Sequence, residues 1–155
     1  MAQKFQLRRD KNMTQLDFDT FYQAFIEAAL WSSNDENDEP LDSNYDINDL
    51  SSDADTTLET MARFFWVRNV AALKYVEAQN GYHHNGYTLD ELAGHDLWLT
   101  ANGHGVGFWD RTFYTVDCDV LEDTQHDYSE RFIKEAEIIG TLHLYMHEAE
   151  LHVSM

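Results

Sequence analysis

The chain has 155 residues, 43% of them apolar and 14% aromatic, which is enough for one domain with a real core and excludes a disordered acidic tail. Its formal net charge is -19, from 29 Asp and Glu against 10 Lys and Arg. Such a surface repels nucleic acid and anionic membrane, and it attracts basic proteins or cations.

The start, MAQKFQLRRDKNM, holds Lys4, Arg8, Arg9 and Lys11 but no apolar run after them, so it does not read as a secretory signal. Residues 1 to 12 read as a flexible basic arm ahead of a single acidic domain over 13 to 155, with Met13 as a second possible start. Residues 17 to 31 predict a helix, because Phe18, Phe21, Tyr22, Phe25, Ile26, Ala29 and Leu30 recur at three- and four-residue steps. Thr14 or Asp17 suits its start. Residues 32 to 55 form a connection rich in acids and without a base, with Leu41, Tyr45, Ile47 and Leu50 spaced through it as anchors. A long anchored loop of this kind is often functional.

Residues 56 to 79 predict the longest helix, with a buried stripe of Leu58, Met61, Ala62, Phe65, Asn69, Ala72, Leu73 and Val76, Trp66 beside it, and Gly81 as its stop. Thr88 and Glu91 form a capping box, from which a short helix is expected to Ala93, ended by Gly94. Leu97, Trp98 and Leu99, then Val106, Phe108 and Trp109, flank Asn102-Gly103 and predict a β-hairpin. Phe113 to Leu121 predicts a further extended piece, and residues 127 to 139 an amphipathic helix. Along the tail, Leu142, Leu144 and Met146 alternate with His143, Tyr145 and His147, which is strand periodicity with a turn near Glu148-Ala149. The expected class is α+β, with N-terminal helices packed on a small antiparallel sheet built from a central and a C-terminal hairpin.

The segment GHDLWLTANGHGVGFWDR, residues 94 to 111, resembles one found in small uncharacterised proteins of tailed bacteriophages, whose usual form is close to GHDFWLTRNGHGAGFWDR. FIEAALWSSNDE and EPLDSNYDINDLS also look like that family's N-terminal half, so the similarity covers roughly residues 18 to 52 and 94 to 111. The family often has Arg where this chain has Ala101. It has no agreed activity and therefore implies no catalytic residues. It does imply a phage origin and hence a host bacterial cytoplasm. The single Cys118 fits a reducing compartment.

Several constellations invite chemistry. His95, Asp96, His104 and Asp110 lie within sixteen residues, and His with Asp serves metal sites and acid–base pairs. No ligand spacing of high specificity accompanies them, so a structural hairpin is favoured, with Trp98, Phe108 and Trp109 filling the core and Asp110-Arg111 as an ion pair. His143, His147 and His152, with Glu148 or Glu150, read as a solvated strand face ahead of a zinc site, and His83-His84 as a polar loop. Residues 42 to 53 open as a calcium loop does, but Ile47 stands where that loop needs glycine and Asp53 ends it instead of Glu. Cys118 sits between Asp117 and Asp119, which raise a thiol pKa and disfavour a nucleophile. No phosphate-cradling loop or cofactor fingerprint occurs, so no cofactor, catalytic residue or resident metal is expected.

Charge density suggests a comparison instead. Residues 12 to 155 carry 28 acids and 6 bases, a net of -22. Duplex DNA carries one charge per ~1.7 Å, so this equals roughly 37 Å of duplex, against a domain diameter near ~40 Å. Together with the phage origin that the resemblance implies, the expectation is a non-enzymatic, phage-encoded acidic inhibitor of the DNA-mimic type, acting in anti-defence or host takeover. Its partner would be a basic, nucleic-acid-binding host protein, with no direct contact to nucleic acid or membrane. The contact residues expected are Asp35, Glu36, Asp38, Glu39, Asp42, Asp46 and Asp49 with Tyr45 as anchor, and a second cluster of Asp117, Asp119, Glu122, Asp123 and Asp127. The rivals are a small metal-dependent hydrolase or nuclease using His95, Asp96, His104 and Asp110, and a structural or assembly protein of the virion.

Overall fold

The computed structural model describes residues 14–117 and 125–155. The proposed arm, Cys118, Asp119, Glu122 and Asp123 lie outside the described residues.

Helix α1 spans Phe18–Ser32 and starts where the Asp17 carboxylate accepts the Thr20 amide at 3.1 Å. Its apolar positions are buried in the spacing that the sequence shows, with Phe21, Phe25 and Ile26 fully enclosed. Helix α2, Ser52–Asn80, starts one turn earlier than expected. Ser51 is the reason: its hydroxyl accepts the Ala54 amide at 3.1 Å, and Asp53 and Asp55 then fall in the first turn, where the helix dipole favours anions. Leu58, Ala62, Phe65, Asn69, Leu73 and Val76 form its buried stripe.

The main departure from expectation is helix α3, Leu89–Ala101. The Thr88–Glu91 capping box starts it as expected. The helix then runs through Gly94 and takes in the first half of the expected hairpin. Asn102 and Gly103 do turn the chain, with Gly103 alone left-handed, but as a helix end. The Gly103 amide donates to the Thr100 carbonyl at 3.2 Å and the His104 amide to the Leu99 carbonyl at 3.0 Å, with Gly103 at φ +70°. These are the two bonds of a Schellman cap. A hairpin turn and a helix cap both require positive φ at that glycine, so the dipeptide alone does not separate them.

Gly94 is the contact point of α1 and α3. A Cβ there would stand 2.3 Å from the Phe21 carbonyl oxygen and 3.0 Å from the Ala24 Cβ. The glycine lets the two helices approach closely, and their contact is the most extensive between helices in the fold. Buried between elements on several sides, α3 encloses Leu89, Ala93, Leu97, Trp98 and Leu99, which explains why its apolar run shows no clean helical stripe.

After α3, the chain makes two short 3-10 turns at Phe108–Asp110 and Thr112–Tyr114. Helix α4 covers Ser129–Ile139. Among the described residues the strands form three separate antiparallel pairs: β1 His83–His84 with β2 Tyr87–Thr88, β3 Thr115–Asp117 with β4 Gln125–Asp127, and β5 His143–His147 with β6 Glu150–Ser154. The C-terminal hairpin turns at Glu148 and Ala149, both at positive φ. The class is α+β, but the central hairpin is replaced by helix. Rings join α1 to α4 through the core: Trp98 of α3 meets Phe25 of α1 edge-on with centroids 5.5 Å apart, Phe21 stacks on Phe65 at 5.8 Å, Phe65 on Phe108 at 5.7 Å, and Phe108 tilts against Phe132 at 5.2 Å.

Candidate interaction surface

The acidic connection between α1 and α2 is an ordered frame. Asn34 bridges Pro40, closing a tight turn, and the Asp35 amide donates to the Glu39 carbonyl at 2.8 Å. The Asp35 carboxylate accepts the amides of Asn37 and Glu39, and the Asn34 side-chain amide donates to the Asp38 carboxylate. Leu41 is fully buried, and Tyr45, Ile47 and Leu50 pack partly against the core. Asp46 and Asp49 cap each other's turn: the Asp46 amide donates to Asp49 and the Asn48 amide to Asp46. Leu50 pairs with Leu151 of β6, and the Ser51 amide donates to the Leu151 carbonyl at 2.8 Å. The supposed calcium loop is therefore two short turns, with Asp46 and Asp49 facing backbone amides.

The acids divide into two roles. Asp35, Asp38, Asp46 and Asp49 hold the turns through local hydrogen bonds. Glu36, Glu39 and Asp42 are exposed, and among the described residues their carboxylates have no hydrogen bond and no cation. The described bases lie elsewhere. Arg63 pairs with Glu59 at 3.0 Å and Arg68 with Glu135 at 2.9 Å. Arg131 donates to the Asn69 side chain at 2.8 Å, and Arg111 pairs with Asp96 at 3.0 Å. Arg63, Arg68 and Lys74 ride on α2, and Arg131 and Lys134 on α4. Two open grooves flank the loop. One, of about 540 Å³, runs between Asp35, Glu36 and Tyr45 on one wall and His143, Tyr145 and His147 of β5 on the other. The second, also about 540 Å³, gathers Asp19, Asp55 and Glu59 around Tyr22. Burial, then the Asp55 carboxylate that accepts its hydroxyl at 2.6 Å, pushes the Tyr22 phenol far above its ordinary range.

Trp31, 45% exposed at the end of α1, stands next to this loop in the chain. Sequence reading passed over it. Its signal was its position off the buried stripe, where a large ring on a solvent face is uncommon. Asp117 is exposed at the end of β3, while Asp127 accepts both the amide and the hydroxyl of Ser129 at the start of α4.

The His and Asp residues of the central segment do not converge. Asp96 is fully buried and takes two bonds from Arg111, at 3.1 and 3.0 Å, and one from the Tyr114 hydroxyl at 3.1 Å. Arg111 thus pairs with Asp96, not with Asp110 as expected. Burial raises the Asp96 pKa, against the opposing pull of Arg111 and Tyr114. The Asp110 carboxylate accepts the Gly107 amide at 2.9 Å. His95 sits 3.6 Å from Glu27 with its ring edge-on to Tyr87. His104 lies half-buried beyond the helix cap. Trp109, expected in the core, is 45% exposed, because Asp110 and Gly107 turn the chain just there.

On the C-terminal hairpin, the rings of His143, Tyr145 and His152 stack at 5.8 and 5.7 Å, with His147 edge-on to His152. Among the described residues, no group of three or more His, Cys, Asp or Glu is placed to hold a metal ion. A buried carboxylate missed in the sequence is Asp90, which accepts from the Asp17 amide at 3.0 Å and the Tyr82 hydroxyl at 2.8 Å. Burial, with Asp90 as acceptor, pushes the Tyr82 phenol up to about 12. These buried carboxylates tie loops to helices. Among the described residues, no helix is long and apolar enough to cross a membrane. No family model, curated protein or solved structure matches this chain.

Proposed function

We propose that this protein is a phage-encoded acidic inhibitor that occupies the basic, nucleic-acid-binding surface of a host protein in the bacterial cytoplasm, presenting carboxylates where phosphates would stand. The observation that carries this reading is the anchored loop whose Glu36, Glu39 and Asp42 carboxylates meet no cation among the described residues, in a chain whose described arginines are each held by other groups. Fixed charges lose less conformational entropy on binding than charges on a free tail, so the frame favours affinity. Trp31 and Tyr45 beside the acids offer the rings that protein interfaces favour as anchors. The reading requires no catalysis and no cofactor. The phage resemblance of residues 18 to 52 and 94 to 111 supplies the biological setting.

The test is capture of host protein by immobilised full-length chain, with elution by duplex DNA. Release of the captured protein by DNA, and its loss with the Glu36→Gln, Glu39→Gln, Asp42→Asn triple variant at unchanged thermal stability, would support the proposal. Capture that neither DNA nor the triple variant disturbs would sink it.

A further inference from the structure

Helix α2 is buried along one side only. On the opposite side, Thr56, Thr60, Phe64, Val67 and Ala71 follow one another at steps of three and four, all exposed. Phe64 is 43% and Val67 68% exposed. This is a line of uncharged side chains more than four turns long on a highly charged molecule. Isolated exposed apolar residues need no explanation, but Phe64, Val67 and Ala71 following one another on one line do.

The charges along the same helix are polarised. Asp53, Asp55 and Glu59 occupy its first part, and Arg63, Arg68 and Lys74 follow. Apart from Glu77, whose carboxylate accepts from the Thr14 hydroxyl and the Gln15 amide, acids come first along the helix and bases follow, so that with an uncharged line along its length it is complementary to itself when reversed. In the register that sets Asp53 opposite Lys74 of a second copy, Thr56 meets Ala71 and Thr60 meets Val67, with Arg63 and Phe64 at the centre. Each pairing occurs twice, as a two-fold axis demands. Charge also favours this face over others. Two copies of net charge -19 repel over most approaches. Five of the six described bases lie on α2 and on the neighbouring α4, so repulsion is least there.

We propose that the chain forms a two-fold dimer through antiparallel packing of α2 on α2 of a second copy, with Phe64 beside the axis and Val67 against Thr60 of the other copy. The proposal is independent of the inhibitor reading, because it uses the side of the molecule where the described bases gather and not the acidic loop.

The experiment is sedimentation equilibrium of the full-length chain over a concentration series, with circular dichroism melts as a control on folding. The wild type is expected to sediment at twice the chain mass. Val67→Glu, at a position too exposed to disturb the core, should weaken the dimer at least about tenfold by bringing two unpaired carboxylates into the interface while leaving the melt unchanged. Asp53→Lys and Lys74→Glu should each weaken it, and the double swap should restore it. A wild type that stays monomeric at all concentrations would overturn the proposal, whatever else the face then binds. So would a Val67→Glu dimer as tight as wild type, or a double swap that fails to recover.

Discussion

Asp96 is where single side chains matter most. It is a fully buried carboxylate whose partners are Arg111 and Tyr114. Removing one member of a buried pair costs about 3–5 kcal/mol, because the other charge is left uncompensated. Arg111→Met should therefore be strongly destabilised. Its pH dependence follows from the raised Asp96 pKa. The folded state holds the Asp96 proton more firmly than the unfolded state does. The group's contribution is thus most favourable below the ordinary carboxylate range and declines as pH rises through the raised pKa. Without the guanidinium this raise grows, so the deficit of Arg111→Met should shrink in melts taken at mildly acid pH and widen at neutral pH. A pH-independent deficit would contradict the pairing. The tryptophans make a second contrast. Trp98 is buried and its indole donates to the Ser32 hydroxyl at 2.8 Å, so Trp98→Ala should cost roughly 3–5 kcal/mol. Trp109→Ala should cost well under about 1 kcal/mol, because half its ring already meets water. Denaturant titration of the two variants checks both values.

At the scale of elements, the α1–α3 crossing decides the fold, and Gly94 decides the crossing. Gly94→Ala improves helix propensity by about 1 kcal/mol at most, yet its methyl would press into the Phe21 carbonyl and Ala24. Backbone cannot give way as a flexible side chain can. The net effect should be a loss of roughly 1–3 kcal/mol or more, seen as a lowered melting temperature with helix content retained at low temperature. An unchanged or raised melting temperature would mean that the helices separate more easily than their packing implies. The legibility of the elements follows the same physics. α1, α2, α4 and the C-terminal hairpin each show one face to water, so their periodicity was readable. α3 is enclosed on several sides, and its apolar run fitted strand as well as helix. Gly94 then looked like a stop and Gly103 like a hairpin turn, although the first is a contact and the second a cap.

For the whole molecule, net charge sets two opposite responses to salt. A charge of -19 on one domain destabilises the compact state by self-repulsion. Screening should raise the melting temperature as sodium chloride increases from low to moderate levels. The same screening should weaken the complex with a basic partner, since many charge pairs form at once. Calorimetry of the captured partner and thermal melts, run over one salt series, should therefore move in opposite directions. A partner affinity that does not fall with salt would remove the electrostatic basis of the proposed function.

Some of this was fixed by the residues alone. The charge excess, the lack of a catalytic or cofactor fingerprint, the amphipathic helices and the anchored acidic loop are sums or short-range periodicities, and they need no fold to be read. Which carboxylates are available is a different matter. Asp35, Asp38, Asp46 and Asp49 look equivalent to Glu36, Glu39 and Asp42 in the sequence, yet the first four hold turns and the other three face solvent. That division depends on where the chain bends and which amides a short side chain can reach. Likewise, Asp96 finds Arg111 instead of leaving Arg111 to Asp110, because α3 carries Asp96 into the core beneath Arg111. Pairing between distant residues is decided by packing, and only the tertiary structure brings those partners together.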